Sequence, residues 1–123
     1  MSNRMNISLA TVALLAASAA QAHPKLLQST PVPDTRVAPP AAITLVFSEK
    51  LVSQFTGVEL TMAAAPGIAE ARIDSLATKL AADGRTLTAT PKNRLTPGDY
   101  RVDWHAVAAD THRIKGSFAF TVR

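Results

Sequence analysis

Apolar and polar residues alternate in several segments of the chain, and this alternation predicts β-strands. Residues 43–48, ITLVFS, carry isoleucine, leucine and phenylalanine at every second position. A period of two is expected for a strand that turns one face toward a hydrophobic core. The same period recurs in segments around Leu60, Val102 and Phe120. These segments are therefore predicted to be half-buried strands.

Turn residues separate the predicted strands at regular intervals. Asp83-Gly84 stands between residues 76–80 and 86–90, as in a β-hairpin turn. Further turns are predicted at residues 65–67 and 97–98. Short strands, frequent turns and the lack of a convincing amphipathic helix predict an all-β fold, a small antiparallel immunoglobulin-like β-sandwich.

Two segments depart from the alternating pattern. Residues 29–42, STPVPDTRVAPPAA, are rich in proline and are predicted to form an extended loop. Residues 77–82 are rich in alanine and could form one helical turn.

The first 22 residues have the features of a secretory signal peptide. Arg4 precedes an apolar run at 7–20, which is short and alanine-rich for a membrane span. Ala20-Gln21-Ala22 is a small-x-small sequence of the kind that signal peptidase accepts. We expect cleavage after Ala22 and export of residues 23–123 as one domain. An uncleaved anchor would need a longer apolar segment.

The amino-acid composition of the chain argues against several classes of function. The chain has no cysteine, so neither a disulfide framework nor a thiolate site is available. The formal net charge is +4, but the basic residues are scattered and no arginine run or aromatic platform accompanies them. Nucleic-acid binding therefore has little support. Nucleophilic catalysis has no candidate either, because no serine lies in a G-x-S-x-G sequence.

Cleavage after Ala22 would make His23 the first residue of the exported chain. Its α-amine and ring Nδ1 could then chelate one metal ion. Pro24 has no amide hydrogen, so its nitrogen cannot become the backbone ligand that Cu(II) otherwise recruits. The competing interpretation is an incidental histidine on a frayed terminus.

Asp110 and His112 could complete such a site. Residues at i and i+2 of an extended segment point to the same side, so Asp110 and His112 could bind one ion while Thr111 faces away. Three nitrogens and one oxygen suit one Cu(II) ion in tetragonal coordination. A D-x-H triplet is also common by chance and by itself is weak evidence for a metal site.

The remaining chemistry-bearing residues are assigned to packing or to solvent. Met62 and Trp104 lie on the inward period of their strands, so we expect both in the core. His105 follows Trp104 and is expected to face solvent. With Met62 as the one methionine after residue 22, a sulfur-rich Cu(I) site is not expected.

Three segments together resemble the CopC family of periplasmic copper-resistance proteins. They are HPKLLQSTPVP, ITLVFSEKLVSQFTGVEL and YRVDWHAVAADTHRIKGSFAFTV, in this order after the leader. The resemblance implies a β-sandwich or Greek-key barrel that binds Cu(II) through His23, by amine and imidazole, together with Asp110 and His112. It also places Glu49 near the site as an outer-shell partner; the competing interpretation is a solvated charge at a strand end.

The chain departs from the family in one segment. Members that also bind Cu(I) have a methionine-rich loop after the central strand, whereas residues 63–72 here read AAAPGIAEAR. The resemblance therefore implies the version of the family with a single Cu(II) site.

The expected function is Cu(II) binding for copper sequestration and homeostasis in the periplasm, by a monomer that is not an enzyme. The resemblance implies an inner-membrane copper transporter of the CopD type as a partner. Affinity should fall toward pH 5, because the ligands must lose protons to bind the ion. Two rival functions stay open: a histidine-brace copper oxygenase, and an immunoglobulin-like interaction module whose terminal histidine is incidental.

Overall fold

The computed structural model describes residues 23–109 and 111–123, which form two packed β-sheets. No helix in these two ranges is long and apolar enough to cross a membrane. The predicted leader, residues 1–22, lies outside the described residues. The strands in the described ranges are β1 Leu26–Thr30, β2 Arg36–Val37, β3 Ile43–Phe47, β4 Gly57–Met62, β5 Ala71–Arg72, β6 Leu76–Leu80, β7 Thr86–Pro91, β8 Gly98–Val107 and β9 Arg113–Val122.

The strand order confirms the predicted all-β sandwich. One sheet has four strands in the order β1-β3-β7-β6, and the other has five in the order β2-β9-β8-β4-β5. Neighbouring strands are antiparallel except for the short β2, which runs parallel to β9 with Arg36 opposite Thr121. The immunoglobulin-like prediction thus holds, with one parallel pair at the edge of the larger sheet.

The hairpin of β8 and β9 is the longest pairing among the described strands. It runs without a register break from Gly98 opposite Val122 to Val107 opposite Arg113. The chain reverses in the connection 108–112, which places this loop at one end of the sandwich. Val107 also accepts a 2.8 Å hydrogen bond from the backbone N–H of Val52, so the end of the hairpin is tied to the segment before β4.

The core consists of the inward-facing residues of both sheets, as the period of two predicts. Ile43, Leu60 and Val102 are fully buried in one part of it. In the other part, Phe47 meets Trp104 edge to face, with ring centres 5.2 Å apart. Such aromatic pairs add to the stabilisation that comes from burial of their apolar area.

Two local predictions need correction. Residues 77–82 form no helical turn, because 76–80 pair along their length with β7 and belong to strand β6. The proline-rich segment 29–42 is not wholly a loop, since it includes the end of β1 and the short β2. In both places hydrogen bonds to a neighbouring strand override the local preference of the residues.

We predict that Gly116→Ala destabilises the protein by about 1–3 kcal/mol, because overpacking of a filled core costs about that much. Gly116 lies opposite Trp104 in the hairpin, and an added Cβ would come within 2.7 Å of the indole Cε2. Chemical denaturation would measure the change. Ser117→Ala on the exposed neighbouring position is the control and should change stability by less than about 0.5 kcal/mol. Equal stability of Gly116→Ala and wild type would contradict the prediction.

Candidate metal centre

His23 is held in place by the two residues that follow it. The side chain of Pro24 is fully buried. The backbone N–H of Lys25 donates to Ser48 Oγ at 2.8 Å, and the N–H of Ser48 donates to the Lys25 carbonyl at 2.9 Å. These contacts tie the segment to the end of β3 and leave the His23 side chain exposed.

His112 lies at the other side of the same end of the sandwich. It immediately precedes β9, whose first residue, Arg113, pairs with Val107 of β8. The start of the loop is held by the bridge between Ala108 and Leu51, and Thr111 donates its backbone N–H to the Ala108 carbonyl at 2.9 Å. The loop therefore presents an exposed His112 from a supported base.

The two histidines come together although 88 positions separate them in the chain. Their ring centres are 5.3 Å apart, and the ring planes are inclined at 43°. An imidazole nitrogen binds a divalent ion at about 2.0–2.1 Å, so two imidazoles on one ion hold their ring centres about 4.5–6.5 Å apart. The spacing of His23 and His112 is thus compatible with a shared ion.

Asp110, the third predicted ligand, lies outside the described residues. Within 23–109 and 111–123, no group of three histidine, cysteine, aspartate or glutamate side chains is placed to hold a metal ion. Thr111 has a φ of 66°, so the backbone at Thr111 is not extended as the i and i+2 argument assumed, and Asp110 as a ligand stays a prediction. Thr111 adopts this left-handed conformation in the connection where the chain reverses between β8 and β9.

Glu49 lies near this end of the molecule. It is half-buried and follows Ser48, the residue that holds Lys25. Its role as an outer-shell partner of the histidines stays a prediction.

The two histidines line a shallow depression of about 720 Å³. Pro24, Trp104 and Ile114 form its apolar part, while Lys25 and Arg113 contribute positive charge. Trp104 was predicted to be a core residue and is only 9% exposed, yet it also reaches this surface. As the single tryptophan of the chain, it is a natural spectroscopic probe of the depression.

The prediction that His105 faces solvent was wrong in part. Its ring lies over Gly57 on the neighbouring strand β4, where an added Cβ would come within 2.9 Å of the ring Cε1. The residue is half-buried. Burial and then the nearby Arg113 lower the pKa of His105, against an opposing effect of Glu59. The missing side chain at position 57 creates this niche, and its register with position 105 cannot be read from the sequence.

Met62 packs as predicted. It is half-buried against the core, and Thr96 Oγ1 donates a weak 3.8 Å hydrogen bond to its sulfur. Residues 63–72, which lack methionine, include a tight turn in which the backbones of Ala65 and Ile68 exchange hydrogen bonds of 2.8 and 2.9 Å, followed by β5.

Comparison with known sequences finds a family model and close relatives among copper resistance proteins. The family model described as the CopC domain matches residues 26–123. Copper resistance protein C of Pseudomonas syringae pv. tomato is 45% identical over 121 residues, which cover 95% of this chain and 94% of that protein. Copper resistance protein C of Xanthomonas campestris pv. juglandis is 46% identical over 113 residues, covering 90% and 88%.

Two solved structures share the fold. PcoC from Escherichia coli, described as a methionine rich copper resistance protein, matches with a TM-score of 0.75 at 40% identity and covers 83% of this chain and 100% of that one. CopC from Methylosinus trichosporium OB3b matches with a TM-score of 0.67 at 23% identity, covering 81% and 93%, which shows the fold alone.

We predict that the His105 ring titrates below the ordinary histidine value of 6.5. Arg113 favours the neutral ring and Glu59 opposes it, while Asp103 and Lys115 face the same hollow. Because the pKa of His105 is lower in the folded protein, the unfolded chain binds more protons at this residue between the folded-state pKa and about pH 6.5. The contribution of His105 to stability is therefore complete above about pH 6.5 and is lost as the pH falls through the folded pKa.

Proton NMR of the histidine rings measures this midpoint, with His105→Gln to assign the signal. Arg113→Gln should raise the midpoint. A His105 midpoint at or above 6.5 in the wild type would contradict the prediction.

Proposed function

Because the chain belongs to the CopC family, we propose that the protein binds one Cu(II) ion in the periplasm for copper sequestration and homeostasis. The observation that carries the proposal is the 5.3 Å separation of the His23 and His112 rings. Export by cleavage after Ala22 is part of the proposal, since it would free the amine of His23.

The proposed ligands are the amine and imidazole of His23, the imidazole of His112 and a carboxylate oxygen of Asp110. Nitrogen and oxygen donors of this kind suit Cu(II), which stands highest in affinity among divalent first-row ions. The charges on Lys25 and Arg113 oppose a divalent cation in the depression. An anionic ligand would offset this repulsion, which supports Asp110 as the oxygen donor.

The lack of a methionine or cysteine beside the histidines in residues 23–109 and 111–123 supports Cu(II) as the oxidation state of the proposed cargo. The similar Escherichia coli structure is described as methionine rich. This chain has three methionines, and Met62 is the one that follows residue 22. Its sulfur lies against the core, and Cu(I) prefers soft thioether ligands. These facts support Cu(II) alone as the cargo.

Binding, and not catalysis, is the proposed activity. The four donors would fill the plane of a tetragonal ion, whereas oxygen-activating enzymes keep a position open, as catalytic metal sites generally do. The exposure of His23 and His112 at one end of the sandwich would suit transfer of the ion to another protein. We propose that a monomer delivers copper to an inner-membrane transporter of the CopD type.

A free amine at His23 is the sharpest requirement of the proposal. One extra glycine before His23 should lower Cu(II) affinity at least about 100-fold, because an amide nitrogen would replace the amine ligand. The comparison uses protein that starts at His23 and protein that starts with Gly-His23. Competition titration gives the affinity, and electron paramagnetic resonance reports the number of nitrogen ligands.

Equal affinity and unchanged nitrogen hyperfine structure in both proteins would refute the role of the amine. The same folding stability without copper must be shown for both, so that a loss of affinity reports on the ligand.

Substitutions of His112 and His105 provide a matched pair of variants. His112→Gln should weaken Cu(II) binding by about 100-fold or more, because the loss of a direct ligand should cost at least as much as the loss of an outer-shell partner. His105→Gln should change it less than about threefold, since that ring occupies the niche over Gly57. Quenching of Trp104 fluorescence by bound Cu(II) is the readout, because Trp104 lines the same depression. Similar losses in both variants would contradict the assigned site.

A further inference from the structure

A second depression, of about 640 Å³, shares Arg113 with the depression that contains the histidine pair. Its apolar wall consists of Val52, Phe55 and Val107, and His105 and Arg113 lie at its rim. Ligand sites typically combine a concave apolar surface with a few polar groups that fix orientation. This depression has both features, and the proposed copper site uses neither its wall nor His105.

The apolar wall is supported by the fold. Phe55 ends the short 3-10 helix Ser53–Phe55 and remains 55% exposed. Val52, the residue before this helix, is hydrogen-bonded to the sheet, since its N–H donates to the Val107 carbonyl at 2.8 Å. Phe55 therefore presents a fixed aromatic surface to solvent at the wall of a cavity.

Arg113 differs from the arginines on the same sheet face. Arg72 Nη2 forms an ion pair with Glu59 Oε1 at 3.1 Å. Arg101 Nε forms one with Asp103 Oδ2 at 2.8 Å. Arg113 forms no ion pair within 23–109 and 111–123. The two carboxylates that share a neighbouring hollow with it are thus already held by other cations.

Arg113 is the one lysine or arginine among the described residues that line the depression. Burial and Arg113 lower the pKa of His105, which favours its neutral ring, a hydrogen-bonding group without a second positive charge. No aspartate or glutamate of the described ranges lines the depression. A guanidinium in this position suits a carboxylate, which it can bind through two parallel hydrogen bonds.

We infer that this depression binds a carboxylate carried on an apolar body, with the carboxylate on Arg113 and the apolar body against Phe55. The ligand is a free aryl or alkyl carboxylic acid, because a depression of about 640 Å³ with one arginine at its rim has the size and composition of a small-ligand site. The inference does not depend on the proposed copper chemistry, because every group that it uses belongs to the metal-free protein.

Three small probes test the inference on the metal-free protein by NMR titration. Phenylacetate has both groups, phenylacetamide lacks the charge, and acetate lacks the apolar body. We expect saturable shifts at the amides of Phe55 and Arg113 with phenylacetate at millimolar concentration, and binding at least about fivefold weaker for the other two. Equal affinity for phenylacetate and phenylacetamide, or no saturable shift with phenylacetate, would overturn the inference.

Variants assign the two halves of the site. Arg113→Gln should remove the preference for phenylacetate over phenylacetamide, and Arg113→Lys should keep part of it, since lysine has the charge without the planar fork. Arg36→Gln is the control and should bind like wild type, because Arg36 on β2 pairs with Thr121, near the end of β9 that lies away from Arg113. An unchanged preference in Arg113→Gln would overturn the role of Arg113.

The apolar half has its own matched pair. Phe55→Ala should weaken phenylacetate binding several-fold, whereas Ile68→Ala, an exposed apolar residue outside the depression, should not. Equal effects of the two would overturn the role of Phe55. The peptide acetyl-Phe-Glu-amide tests the other source of such a carboxylate, an acidic side chain beside an apolar one on a protein. Weaker binding than phenylacetate supports the free acid, and tighter binding would overturn it.

Discussion

The pairing of β8 with β9 is the constraint on which the rest of the structure depends. Ten consecutive residue pairs join Gly98–Val107 to Arg113–Val122. This register decides that Trp104 lies over Gly116 in the core and that the loop 108–112 leaves the sheet at one end. His112 and Arg113 therefore owe their positions to a hairpin whose stability comes from the core.

The second constraint is the attachment of the chain near His23. Burial of Pro24 and the two hydrogen bonds between Lys25 and Ser48 hold the segment against β3 in the smaller sheet. His112 comes from the larger sheet. The histidine pair thus spans the two sheets of the sandwich, and its geometry reports on how they pack. A core substitution that shifts one sheet against the other should disturb the pair although it touches neither ring.

Charge adds a further condition at this end of the molecule. Arg113 lines both the depression with the histidines and the depression with Phe55. A cation beside a candidate metal site weakens metal binding unless an anion is near. Family membership and the donor atoms support the proposed copper binding, and the charge of Arg113 at this end of the molecule favours the proposed carboxylate ligand. The same guanidinium lines the second depression, where none of the described lining residues is an aspartate or glutamate.

The sequence by itself determined the strand character, the inward faces and the two histidines. Alternation of apolar residues suffices for this, because the period of two follows from backbone geometry at each strand. It also indicated His23 and His112 as candidate metal ligands, because a histidine at the predicted new N-terminus and a histidine in a D-x-H triplet can both bind a metal ion. It could not predict that β2 runs parallel to β9 or that His105 lies over Gly57. It also missed the turn at Thr111 and the isolation of Arg113 from the neighbouring ion pairs. These features depend on which residues become neighbours across strands, and only the tertiary register decides that.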